Sequence, residues 1–175
     1  MAEMVEEARP KTAATQARPL GWEIERRIIA LIHAVAAACD ERRFLDWAAL
    51  FCEDGVYSAI TNENLAHQGL RLFKDEGRAG LNERAAFQLG MIQTPRGKTL
   101  HLVTNIIVSS GKTASQATST SNFLMMRTAD LEHTELLAAG RYLDRFEERG
   151  SDWRIKERLV VVDSNMLPPE FTELL

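Results

Sequence analysis

With 175 residues, 45% of them hydrophobic and 26% charged, the chain has the length of one domain with a real core and the composition of an ordinary globular protein. Its 21 basic residues against 25 acidic ones leave a formal net charge of -4 at pH 7, which argues against a dedicated nucleic-acid or anionic-membrane surface. Two cysteines, Cys39 and Cys52, cannot define a disulfide framework, and no apolar run has the length to span a bilayer, so a reduced cytoplasmic protein is expected.

Residues 1–20 hold acids, Pro10 and Pro19 but no apolar centre, and read as an N-terminal arm rather than a signal peptide. The folded domain is expected over 21–175. From Trp22, the residues Ile24, Ile28, Leu31, Ile32, Val35 and Cys39 recur at spacings of three and four, the pattern of an amphipathic helix. Glu23, Glu25, Arg26 and Arg27 occupy its polar side, and His33 reads as a boundary residue. Asp40-Glu41-Arg42-Arg43 interrupts the helix, and Phe44, Trp47, Leu50 and Phe51 form a second short stripe. Asp54-Gly55 is a turn, and Val56 to Ile60 a strand. A loop over 61–69, a short strand over 70–74 and a helix over 79–93 follow, the helix carried by Leu81, Ala85, Leu89 and Ile92.

Pro95-Arg96-Gly97 then introduces a β-branched stretch that runs to Val108 and is closed by Ser109-Ser110-Gly111-Lys112. One face of this strand carries Leu100, Leu102, Thr104, Ile106 and Val108, the other His101, Val103, Asn105 and Ile107. Both faces are mainly apolar, which predicts a central strand covered on each side, with His101 and Asn105 sharing one buried face. Residues 117–127, 136–147 and 153–163 predict three more strands, antiparallel because the connections are too short for crossover helices. Pro168-Pro169 ends regular structure, leaving a short tail over 170–175. Helices followed by meandering strands make an α+β pattern, with a curved, mostly antiparallel sheet wrapped on the N-terminal helices around a cone-shaped interior.

No G-x-G-x-x-G, P-loop or H-E-x-x-H is present, and no cysteine–histidine pairs of the kind that hold a Rieske cluster. The four histidines, His33, His67, His101 and His133, are scattered over a helix flank, a loop, a strand and a turn, so no metal site is expected. Asp40, Tyr57 and His101 are the acid–base candidates, since together they can line one cavity. Each also has a plain structural reading: Asp40 stops a helix, Tyr57 packs, and His101 bonds a neighbouring loop.

Asp40 to Tyr57, read as one stretch, resembles the opening of small (β) subunits of aromatic-ring-hydroxylating dioxygenases. His101 to Val108 resembles a strand of the same family. Ser121-Asn122-Phe123-Leu124, Gly140-Arg141-Tyr142-Leu143-Asp144 and Trp153-Arg154-Ile155 with Val160-Val161-Val162-Asp163 are similar to its later strands. The resemblance covers residues 22–165. It implies a nuclear-transport-factor-like cone and a mainly structural chain with no catalytic residue, cofactor or metal ligand of its own. The implied partner is a large subunit holding a Rieske [2Fe–2S] cluster and a non-haem iron fed by electrons from NADH. The implied assembly is a hexamer of three large and three small chains, with no nucleic acid and no membrane involved. Ile60-Thr61-Asn62-Glu63-Asn64 with Gly69-Leu70 is similar to small subunits whose large partners act on aromatic carboxylates such as salicylate or terephthalate. Arg71 stands where that group has proline, and no arginine directly precedes His101. The alternative is a stand-alone dehydratase, isomerase or cyclase of the same fold that uses Asp40, Tyr57 and His101.

Overall fold

The computed structural model describes residues 20–91, 97–128, 133–168 and 171–175; the expected arm over 1–20 lies outside them apart from Leu20. Helix α1 (Trp22–Asp40) buries Ile28, Leu31, Ile32, Val35, Ala38 and Cys39, as its apolar spacing predicts. Glu23 and Glu25 in its first turn complement the helix dipole. The helix ends because Arg42 adopts a left-handed backbone (φ 58°). The Arg43 N–H then reaches back to the Ala38 carbonyl at 2.8 Å and the Arg42 N–H to that of Cys39 at 3.0 Å, a Schellman closure built without glycine. Asp40 is therefore held in the last turn of α1.

Helix α2 (Phe44–Ala49) seats Phe44, Trp47 and Ala48 in the core. Strand β1 (Phe51–Thr61) starts earlier than the sequence pattern predicts, because an irregularity between Phe51 and Val56 carries the Asp54-Gly55 stretch within the strand. The expected loop after it contains a five-residue helix, α3 (Asn62–Ala66), whose first turn is capped by the Thr61 hydroxyl accepting from the Asn64 N–H at 3.1 Å. Strand β2 (Phe73–Glu76) and helix α4 (Gly77–Met91) follow. The four long strands are β3 (Lys98–Ser110), β4 (Gln116–Thr128), β5 (Thr134–Arg149) and β6 (Asp152–Val162).

These strands form one sheet in the order β2-β1-β6-β5-β4-β3. All neighbours are antiparallel except β1 and β6, which run parallel. The α+β class and the curved, mostly antiparallel sheet agree with the expectation. The position of β3 does not. It is one of the two edge strands, covered by α1 on one face only. Leu100, Leu102 and Ile107 are exposed, and the pairing with β4 shifts between Thr104 and Ile107, where Asn105 takes a positive φ of 51°. The shift places Ile106 and Val108 against the core after His101 and Val103, so Asn105 faces solvent rather than sharing the face of His101.

A second irregularity changes the reading of β6. Phe146 pairs with Ile155 but Arg145 pairs with Glu157, leaving Lys156 as an extra residue. The buried face therefore passes from Trp153 and Ile155 to Arg158, Val160 and Val162. Where β5 and β6 approach, a Cβ at Gly140 would run into the Val161 carbonyl oxygen and the Phe123 ring, so only glycine fits. The core beneath the sheet is aromatic. Trp47 meets Phe51 and Tyr57 edge-on at 5.1 and 5.0 Å, and Phe123 stacks on Tyr142 at 4.5 Å. Such pairs each add about 0.5–1.5 kcal/mol beyond the area they bury.

Candidate functional site

Three elements converge at the narrow interior of the sheet. The Asp40 carboxylate accepts from the main-chain N–H of His101 at 3.0 and 3.2 Å and lies 2.6 Å from its ring Nδ1. The other ring nitrogen, Nε2, lies 3.0 Å from the Leu174 carbonyl oxygen. Both ring nitrogens thus face oxygen partners. Tyr57, fully buried on β1, donates its hydroxyl to the Leu175 main-chain oxygen and accepts from the Leu175 N–H, each at 2.9 Å. Burial pushes the Tyr57 phenol well above its ordinary range.

His101 and Tyr57 thus both bond one segment, 171–175, and Asp40 holds His101. The expected tail is instead part of the interior: Leu174 and Leu175 are buried in the core cluster. Gln88 on α4 donates to the Thr172 carbonyl, and Arg127 on β4 pairs with Glu173 at 3.3 Å and with Glu135 at 2.7 Å. A cavity of about 50 Å³ remains beside Leu174, lined in part by Cys39, Phe44, Met91, Met125 and His101. It has room for a few waters and falls far below the ~300–1,000 Å³ of ordinary ligand sites.

A buried ion pair completes the interior. Arg158 forms a two-point contact with Asp144 at 2.9 and 2.8 Å, and its guanidinium lies 4.3 Å from the centre of the Tyr142 ring. Burial opposes the Arg158 charge, but the Asp144 carboxylate more than offsets it and keeps the guanidinium protonated. Asp144 and Arg158 meet only across the β5–β6 register, so spacing along the chain alone does not pair them. Arg145 pairs with Glu157 on the neighbouring strand.

Among the described residues, no group of three or more His, Cys, Asp or Glu side chains converges to hold a metal ion. His101 has both nitrogens engaged, and the Nδ1 of His67 lies 3.0 Å from the Glu63 carbonyl oxygen. These residues do not fit a Rieske cluster or a mononuclear iron. Cys39 and Cys52 are free thiols, and burial pushes Cys39 up to about 12.

The outer face of the sheet has a different character. Leu102 pairs with Leu124, which pairs with Ala139; Leu100 pairs with Met126, which pairs with Leu136. Leu100, Leu102, Leu124 and Leu136 are 47%, 42%, 42% and 59% exposed, so these two cross-strand rows make an apolar surface over β3, β4 and β5.

Residues 34–169 match the family model described as ring hydroxylating beta subunit. The chain belongs to that family. As a member, it is a subunit of an aromatic-ring-hydroxylating dioxygenase and so a component of an oxidoreductase. It is 27% identical over 165 residues to the 3-phenylpropionate/cinnamic acid dioxygenase subunit beta of Photorhabdus laumondii, spanning 87% of this chain and 91% of that one. It is 27% identical over 144 residues to the terephthalate 1,2-dioxygenase terminal oxygenase subunit beta 2 of a Comamonas species, spanning 81% and 92%. In fold it matches the crystal structure of the beta subunit of a candidate ring-hydroxylating dioxygenase from Novosphingobium aromaticivorans. The TM-score is 0.75 at 21% identity, over 87% of this chain and 97% of that one. A candidate scytalone dehydratase from the same organism shares the cone with a TM-score of 0.64 at 22% identity, over 85% and 89%. The beta subunit fold is thus one that other proteins of different name also adopt.

Proposed function

We propose that this chain, folded as one domain over 21–175, is the non-catalytic assembly subunit of its dioxygenase. The observation that carries the reading is that Asp40, His101 and Tyr57 are bonded to each other or to the main chain of Leu174 and Leu175, so with segment 171–175 in place no substrate ring fits beside them. The exposed leucine rows on β3–β5 are where it contacts other chains of the complex. Its partner is a large subunit carrying a Rieske cluster and a non-haem iron, supplied with electrons from NADH, in a hexamer of three large and three small chains. When bound in that large subunit, the metals activate oxygen; the residues of this chain hold the large subunits in place and keep water from the shared surface.

An aromatic carboxylate is the substrate class this reading favours. The two relatives above are named for terephthalate and for phenylpropionate or cinnamate, which are aromatic carboxylates. No helix among the described residues is long and apolar enough to cross a membrane, and both cysteines are free, in keeping with a cytoplasmic complex. Native mass measurement of the chain co-expressed with its Rieske-type large subunit tests the assembly. A three-plus-three particle is expected, and a chain that stays alone at micromolar concentration contradicts it.

A further inference from the structure

Segment 171–175 has no place in the sheet, yet Leu174 and Leu175 are only 3% and 2% exposed. Its main chain is gripped by side chains from three elements. Gln88 of α4 takes the Thr172 carbonyl, His101 of β3 the Leu174 carbonyl, and Tyr57 of β1 both the oxygen and the N–H of Leu175. Apolar walls that include Cys39, Phe44 and Met125 surround the same space, and the cavity beside Leu174 continues along them. A core held by packing alone would have no need of a buried phenol, imidazole and carboxamide, each costly to desolvate. Here these groups converge on the main chain of Thr172, Leu174 and Leu175, which is how a receptor recognises a main chain whatever its side chains.

We propose that the cone is a binding site for short apolar ligands carrying an amide or ketone carbonyl, and that segment 171–175 is its built-in occupant. The ligand carbonyl replaces that of Leu174 on His101 Nε2 or the main-chain oxygen of Leu175 on the Tyr57 hydroxyl. An amide N–H donates to the Tyr57 oxygen as the Leu175 N–H does. The apolar body fills the volume of the two leucine side chains. Exchange breaks no ladder hydrogen bond, because the segment pairs with no strand. Binding is read on the isolated chain and assembly on the complex, so failure of this proposal leaves the assembly test above untouched.

The test uses the full-length chain carrying L174A and L175A together, which weakens the apolar hold and keeps the main chain. Probes are an acetylated Thr-Glu-Leu-Leu peptide and benzamide, read by the fluorescence of Trp47, whose ring centre lies 5.0 Å from that of Tyr57. The variant is expected to bind the peptide saturably and about tenfold or more tighter than the unaltered chain, with benzamide competing. Adding Tyr57→Phe to that variant should weaken binding about fivefold. A variant of unchanged circular dichroism that binds no better than the unaltered chain, or binding indifferent to Tyr57→Phe, overturns the proposal. If L174A/L175A does not fold, hydrogen exchange of the unaltered chain decides. Leu174 and Leu175 amides that open faster than the β5–β6 ladder support the site, and amides that exchange only with global unfolding overturn it.

Discussion

Asp40 and His101, 61 positions apart, are joined twice: the carboxylate accepts from the ring Nδ1–H at 2.6 Å and from the main-chain N–H at 3.0 Å. The last turn of α1 is thereby tied to β3, a strand with a sheet neighbour on one side only. In a cone whose edge strand is covered by one helix, this link holds the rim in place.

The first prediction concerns that link. Asp40→Ala leaves the His101 N–H and one ring nitrogen without their acceptor, and should cost about 2–3 kcal/mol in urea unfolding. Within the assembled dioxygenase, at temperatures where the variant is folded, turnover per iron should stay within about twofold. A general acid or base contributes about 10²–10⁴-fold, so a loss of that size with the complex intact would make Asp40 or His101 catalytic.

The buried Asp144–Arg158 pair predicts an asymmetry between single and double variants. Asp144→Ala strands a guanidinium that is 2% exposed, at a cost of about 3–5 kcal/mol. Replacing both residues by leucine or methionine removes the uncompensated charge along with its partner and should recover most of that loss. The denaturation midpoints of the two singles and the double give the comparison; equal losses in all three would mean the pair's charge is unimportant.

Stability should fall in alkali, and Cys39 supplies the first part of the fall. Desolvation by burial pushes its thiol up to about 12, with the Arg158 charge opposing and Asp40 adding to the effect. An unfolded thiol ionises near pH ~8.5. Above that pH the native state retains a proton the unfolded state has released, so the stabilisation present at neutral pH is lost progressively until about pH 12. The slope from this one group approaches about 1.4 kcal/mol per pH unit. Tyr57 and Tyr142, both pushed up by burial, add to it at higher pH. Urea midpoints between pH 8 and 10 should fall less steeply for Cys39→Ala than for the unaltered chain, and parallel profiles would contradict the assignment.

The helices and most of the strands were legible because their apolar spacing survives in the structure, as in α1 and in β5 from Ala138 to Phe146. What was not legible came from register. Periodicity alone does not reveal that Lys156 is an extra residue or that Asn105 sits at a bulge, and each shift moves every later side chain to the other face. The apolar Leu100 and Leu102 suggested a strand covered on both sides, because composition cannot distinguish an apolar face in the core from one left exposed. Asp40, Tyr57 and His101 were each identifiable as polar residues in apolar surroundings. The segment that Tyr57 and His101 bond was not, since Leu174 and Leu175 follow a proline pair and carry no strand or helix pattern; two adjacent leucines after a polar stretch were the available signal.

The leucine rows give the most direct test of the account. Leu124 is 42% exposed at the centre of the apolar surface, paired with Leu102 on one side and Ala139 on the other. Leu124→Glu places a charge where a dry contact is proposed and should cost the isolated chain less than about 1 kcal/mol. Co-purification with the Rieske-type large subunit, followed by native mass measurement, is the decisive experiment. The account predicts that the unaltered chain forms the complex and that Leu124→Glu, with unchanged circular dichroism, does not. A Leu124→Glu chain that assembles as completely as the unaltered one would contradict it.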